Sequence, residues 1–431
     1  MKRIRRYIRT LIIVSILFFT TLIVKAQQML PYQNPQLSVE ERVNDLLGRM
    51  TLEEKIGQIT HLHSYKVFDG QELNPNKLEV TCGNIGYGFF EGFPLTASHC
   101  RKNFRRIQEY LIKHTRLGIP GFSVAESLHG VVHEGTTIYP QNIALGSTFN
   151  PELAYAKTKH ISGELNTMGV KQVLSPCIDV ARELRWGRVE ESFGEDPFLC
   201  SAMAVAEVRG YMDHGISPML KHYGPHGNPS GGLNLASVDC GIRDLFDIYL
   251  KPFETVLAQT RVMAVMSSYN AWNRVPNSAS HFMLTEILRN KFGFRGYVYP
   301  DWENINIIHA WGAPGGGERN GMYYMFCGIN NVEYYDFMAA RNKFGSSDPF
   351  GEACNKALSD AQKFLPQYDA ILVDEAQDFS PSFLRLCYEM LQPPKRLVYA
   401  YDELQNLRSQ SLPSPEEIFG LAEDGTPKVR F

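Results

Sequence analysis

The chain has 431 residues, roughly three typical domain lengths; a small disulfide-stapled scaffold is excluded, and either one large domain with a smaller one or two to three ordinary ones fit. Hydrophobic residues make up 44% and charged residues 21%, which suits a globular chain with a sizeable core and excludes a disordered or fibrous one. The formal net charge of −3, from 43 basic and 46 acidic residues, gives no whole-chain electrostatic case for nucleic acid.

The first segment reads as a targeting signal. Lys2, Arg3, Arg5, Arg6 and Arg9 precede an almost wholly apolar run from Leu11 to Val24, and Val24-Lys25-Ala26 places small side chains where a signal peptidase cuts. Cleavage after Ala26 is expected, making residues 1–26 a signal peptide and the mature chain periplasmic or secreted. The apolar run is shorter than the ~20 residues of a spanning helix, so no stable membrane span is expected after cleavage. Export permits disulfides, but Cys82, Cys100, Cys177, Cys200, Cys240, Cys327, Cys354 and Cys387 are spread thinly, without CxxC pairs or zinc-like spacing. Most read as buried thiols, and no metal or cofactor is expected.

Two helix starts follow. Ser38 with Glu41 and Thr51 with Glu54 fit the capping box, and Val43, Leu46, Leu47 and Met50 recur at helical spacing between them. Further on, Val173 to Val180, Met219 to Tyr223, Val262 to Tyr269 and Tyr297 to Tyr299 read as strands. Asn150 to Leu165, Leu199 to Met212, Arg243 to Leu257 and Met283 to Lys291 read as helices. This alternation predicts a parallel α/β arrangement, with polar residues just after the strands, where a (β/α)8 barrel carries its chemistry. Past residue 302 the texture changes: a Gly-rich loop from Trp311 to Arg319, an aromatic and Asn-rich stretch, then strands at Ala370 to Val373 and Leu397 to Ala400, each followed by a helix.

The chemistry-bearing residues cluster at predicted strand ends. Residues 185–191 and 193–197 pack four acids and two arginines into one short segment; a self-paired loop on a barrel rim has the same appearance. Lys221 and His222 end one strand, where a Lys and a His together are costly unless they hold something polar. Ser267-Ser268-Tyr269-Asn270 closes the next, and Pro300-Asp301-Trp302 the one after. A carboxylate beside an indole suits a sugar, whose apolar face the ring covers while the carboxylate meets the anomeric carbon.

In order, Glu126-Ser127-Leu128-His129-Gly130, Arg185-Trp186-Gly187-Arg188 with Phe193-Gly194-Glu195-Asp196-Pro197, Lys221-His222-Tyr223, Met266-Ser267-Ser268-Tyr269-Asn270, Gly293-Phe294-Arg295-Gly296 and Asp301-Trp302 resemble glycoside hydrolase family 3 across residues 36–302. The resemblance implies a (β/α)8-type barrel and retaining hydrolysis of terminal β-linked glucose or xylose from oligosaccharides or aryl glycosides. By it, Asp301 matches the nucleophile; Arg188, Lys221, His222 and Tyr269 match residues that hold the glycone; Glu126 matches the acid on the sugar hydroxyls; and Trp302 stands beside the nucleophile. Pro300 replaces the Ser usual before the nucleophile, and the family pattern stops after Trp302. The barrel is therefore expected to lack its last βα unit and the acid/base, leaving an impaired enzyme. The form around Glu126 leans toward β-xylosidase-like members.

Residues 303–431 carry another pattern. Ile371 to Asp378 is an apolar strand ending in acids, as in ATPases that hold Mg²⁺. With Tyr399 to Gln405 downstream and Ile307 to Gly312 upstream, it resembles a fragment of a superfamily 1, UvrD-like helicase. That resemblance implies Asp374 and Glu375 as Mg²⁺ and water-activating acids and Gln405 as a phosphate sensor. No segment reads GxxxxGK[ST], and Gly315-Gly316-Gly317-Glu318 lacks the lysine, so no ATP binding and no nucleic-acid partner are expected. The alternatives are a non-functional fusion, a nucleic-acid-associated ATPase fragment and a non-catalytic sugar-binding protein.

Overall fold

The computed structural model describes residues 29–92, 95–302, 310, 321–345, 348–373, 376, 379–399, 413–422 and 426–429. The signal segment, Asp374, Glu375 and Gln405 lie outside them. Two compact units divide the chain, the first made of residues 1–139, 157–174 and 210–217, the second of residues 140–156, 175–209 and 218–431.

The first unit opens with two capped helices. In α1 (Val39–Arg49) the Ser38 Oγ accepts the Glu41 N–H at 3.2 Å and the Glu41 carboxylate accepts the Ser38 N–H at 2.9 Å; Thr51 and Glu54 repeat the exchange at the start of α2 (Leu52–Gln58) at 3.3 and 2.9 Å. Both predicted capping boxes form. The apolar stripe of α1 is only half-covered, since Val43 and Leu47 stay exposed. Strands β1 (His61–Leu62), β2 (Phe89–Glu91), β3 (Phe122–Ala125) and β4 (Gln172–Val173) then pair in parallel and in chain order. A further helix, α3 (Ala97–His114), sends Cys100, Phe104, Ile107 and Leu111 into the core at helical spacing. They join Leu62, Phe90, Ile161, Leu165, Val173 and Tyr211 in one apolar cluster.

The predicted strand at Val173 to Val180 is cut short. Only Gln172–Val173 pairs with β3, because Pro176 has no N–H to give a ladder; the chain continues through residues 174–180, where Cys177 bridges Lys221.

The second unit holds β5 (Ser217–Tyr223, its first residue counted with unit one), β6 (Ala264–Ser267) and β7 (Tyr297–Pro300), again parallel and in chain order. From Pro218 onward β5 is buried at every residue, as expected of a parallel strand covered on both faces. The helix predicted at Arg243 to Leu257 divides into a short turn at Ile242–Asp244, a π-helical turn at Leu245–Tyr249 and a regular helix at Lys251–Gln259. Residues Phe282–Lys291, predicted as a helix, are π-helical throughout. Beyond residue 320 a separate apolar cluster gathers Tyr323, Phe326, Cys354, Ile371, Phe383, Leu386 and Phe419. One face of a parallel pair, Tyr368–Val373 and Leu391–Tyr399, joined through the helix Pro381–Glu389, packs into it through Ile371, Val373, Leu391 and Leu397. Seven of the eight cysteines are buried, Cys240 is half-buried, and all are free thiols. Among the described residues no helix is long and apolar enough to cross a membrane.

Candidate active site

The second unit brings Arg188, His222 and Asp301 together. His222 closes β5, and its backbone N–H donates to Asp179 Oδ1 at 3.1 Å while its Nδ1 lies 2.7 Å from Asp179 Oδ2. That pairing assigns the Nδ1–H tautomer, so Nε2 presents a lone pair, which accepts Arg188 Nη2–H at 3.0 Å. His226 is arranged the same way. The Asn270 Nδ2 donates to the carbonyls of Asn234 and Ala236 at 3.2 and 2.6 Å, which turns its Oδ1 toward His226 Nδ1–H, and His226 Nε2 then accepts from Arg188 Nη1 at 3.4 Å.

Two neutral imidazoles and one carboxylate thus hold the guanidinium. Glu191 takes Arg188 Nε–H and Nη2–H at 2.9 and 2.8 Å, a planar two-point pairing a lysine cannot reproduce. Among the described residues four of the five guanidinium N–H groups are used, and one on Nη1 is left over. Burial opposes the Arg188 charge, but the Glu191 hydrogen bonds and charge outweigh it and raise its pKa. Burial drives His222 well below the usual imidazole range, with Arg188, His226 and Lys221 adding to it. His226 falls to about 3, chiefly by burial and then by Arg188 and Lys221, against its bond to Asn270. Burial lifts Asp179 to about 7 even though the Cys177 thiol and both His222 groups donate to it.

Asp301 follows β7. Its Oδ2 lies 3.4 Å from His222 Nε2, its Oδ1 accepts the Trp302 backbone N–H at 2.7 Å, and the side chain is 13% exposed. The buried Oδ2 accepts no hydrogen bond from the described residues. Lys221 is buried beside His222, and the Tyr269 ring lies 6.4 Å from that of His226. Trp302 is half-exposed, 52% open to solvent. Glu126 stands exposed just past β3 in the first unit.

The turn after β5 depends on a glycine. Gly224 has φ +141°, and a Cβ there would sit 2.3 Å from Asn277 Nδ2 and 2.7 Å from Ser268 Oγ, which bond each other at 2.8 Å. Asn270, which lies in the strand-end motif, completes the cluster together with Asp179 and His226, neither of which was singled out for it in the sequence. Asp179 is buried in an apolar-looking run, and His226 sits in a Gly- and Pro-rich turn; the one available signal was the Lys221-His222 pair with a second histidine four residues on.

Residues 51–320 match the Glycosyl hydrolase family 3 N terminal domain. The chain belongs to that family. It is 34% identical over 209 residues to a beta-xylosidase of Formosa agariphila, covering 45% of this chain and 29% of that protein. It is 29% identical over 279 residues to the periplasmic beta-glucosidase of Salmonella typhimurium, covering 63% of this chain and 34% of that one. A b-glucosidase structure from Erythrobacter marinus superposes with a TM-score of 0.60 at 28% identity, over 64% of this chain and 38% of its own. The chain thus spans about a third of the length of these relatives. The family match runs past residue 302, where the motif resemblance stops, and supports the parallel α/β fold; these relatives are glycoside hydrolases by name.

Proposed function

We propose that this chain is an exported β-glycosidase that releases terminal β-linked glucose or xylose with retention, Asp301 attacking the anomeric carbon. The observation that carries the reading is the Asp301 carboxylate: one oxygen is fixed by a backbone N–H and the other is buried without a donor among the described residues, 3.4 Å from His222. An oxygen that gives up no hydrogen bond to attack is suited to covalent catalysis. The spare Arg188 N–H, Lys221 and Tyr269 are assigned to the glycone hydroxyls, Trp302 to its apolar face, and Glu126 to the hydroxyls on the strength of the family motif. Names of relatives support both glucose and xylose.

Retention needs a second carboxyl group about 5 to 5.5 Å from the nucleophile. Glu191 is committed to Arg188, and Glu190 is exposed. We assign the acid/base to none of the described residues and expect an impaired enzyme. Positioned acid catalysis is typically worth about 10²–10⁴ in rate, which an activated aryl leaving group does not need. The 431-residue chain should therefore give a burst of phenol from an aryl β-glucoside or β-xyloside, followed by slow turnover. Asp301→Asn should lose the burst, and mass spectrometry of the quenched reaction should find the sugar on the Asp301 peptide. Rapid cleavage of cellobiose or xylobiose would overturn the impairment, and the absence of any sugar adduct would overturn the nucleophile.

For residues 303–431 the helicase-like reading rests on the sequence pattern of Ile371 to Asp378 and Tyr399 to Gln405 alone. We assign that segment no catalytic role. Export rests on the basic, apolar, small-residue order of residues 1–26.

A further inference from the structure

The first unit gathers donors of its own at the ends of β1 and β2. The parallel register sets His61 beside Phe89 and Leu62 beside Phe90, so the next residue, His63, comes abreast of Glu91. The two-residue repeat of a strand places His61 and His63 on one side. Their rings stack 5.0 Å apart with 5° between planes, and His63 Nδ1 lies 3.6 Å from Glu91 Oε1. One nitrogen from each imidazole and one Glu91 oxygen all fall within 4.8 Å of one another, and the three side chains are half-buried. The backbone that carries them is anchored by Leu62 and Phe90, both fully buried.

We propose that His61, His63 and Glu91 bind a divalent transition-metal ion, with Zn²⁺ as the reference. Two imidazoles and one carboxylate are the donor set of an open zinc site, in which a fourth position stays available to water or a ligand oxygen. Ligand bonds of about 2.0–2.2 Å in a tetrahedron separate donor atoms by about 3.3 Å. The His63–Glu91 separation is already near that value, and rotation of the His61 and Glu91 side chains by roughly an ångström closes the rest. A simple ion pair accounts for the arrangement less well, because 3.6 Å exceeds the ~2.7–2.9 Å of a charge-assisted hydrogen bond. Glu126 lies near enough to repel Glu91, and a divalent cation relieves that repulsion. Cys177, Asp179 and His222 form a second set of comparable compactness, but Asp179 is already engaged by three donors and the cluster has no open side, being fully buried.

The test uses the untagged full chain, stripped with chelator and titrated with ZnCl₂ alone by calorimetry, with the metal content counted after gel filtration. One Zn²⁺ per chain is expected, raising the melting temperature of the wild type. His63→Asn and Glu91→Gln should each weaken binding at least tenfold while leaving the metal-free melting temperature unchanged. Cys177→Ser should bind Zn²⁺ as the wild type does. X-ray absorption should show nitrogen and oxygen neighbours only. No binding, unchanged affinity in both variants, or a sulfur neighbour would each overturn the assignment.

Discussion

Replacing His226 with Gln should flatten the dependence of stability on pH between about pH 6 and about pH 5. In the fold His226 titrates near 3, because it is buried and then because Arg188 faces it; unfolded, an imidazole titrates near about 6.5. The folded value is the lower one, so below the unfolded pKa the unfolded chain takes up a proton that the fold refuses. The stability this group contributes is complete above about 6.5 and is lost progressively toward the folded value. One proton corresponds to about 1.4 kcal/mol per pH unit, slightly less near pH 6 where the unfolded imidazole is not fully protonated. The neighbouring pair does not add to this slope. In the fold, burial raises Asp179 to about 7 and keeps His222 neutral, so the pair holds one proton; unfolded, His222 carries one and Asp179, near about 3.9, carries none. Both states hold one proton wherever it sits. Urea unfolding followed by tryptophan fluorescence across this window should show the wild type losing about 1 kcal/mol more per pH unit than His226→Gln. Other carboxylates such as Glu183, held near 2 by Arg185, are common to both chains and drop out of the difference. Parallel pH profiles would refute the reasoning.

Three further outcomes are expected. Arg188→Lys cannot keep both the two-point pairing to Glu191 and the bonds to His222 and His226, so kcat/KM on an aryl β-glycoside should fall about 10²-fold with the fold intact by circular dichroism; wild-type activity would refute it. Millimolar ATP with Mg²⁺ should leave the melting temperature unchanged, because no glycine loop with a lysine cradles the phosphates; a shift abolished by Glu375→Gln would reveal a binding loop. Material recovered from a Gram-negative periplasm should begin at Gln27, and an N-terminus at Met1 would overturn the export reading.

Legibility in the sequence followed the range of the interaction. The capping boxes at Ser38 and Thr51 were readable because both partners lie three residues apart. So was β5, whose seven-residue run is long enough to show apolar character. Strands β1, β2 and β3 were not: two to four residues carry no period, and only pairing with neighbours makes them strands. Helix α3 had a readable stripe at Cys100, Phe104, Ile107 and Leu111, obscured by the density of charge on its other face. The π-helical turns at Leu245 and Phe282 have no sequence period of their own and ended two predicted helices in a different geometry. Asp179 and His226 belong to the site through hydrogen bonds to His222, Asn270 and Arg188, and spacing along the chain does not encode such contacts.

Burial of the strands explains why the motifs were nonetheless strong. From Pro218 onward β5 has no exposed position, so a Lys and a His at its end cannot be incidental solvated charge; each carries a desolvation cost of several kcal/mol unless partners meet it. Asp179 and Arg188 are partners His222 requires, and Glu191 is the partner Arg188 requires in turn. The chain of requirements ends at Asp301, whose buried Oδ2 is, among the described residues, the one carboxylate oxygen of the cluster left without a donor. A stability argument would have supplied one, since an unsatisfied buried acceptor costs about 1–3 kcal/mol. The carboxylates and imidazoles around it are each met by a partner, and that contrast is what the proposed nucleophile rests on.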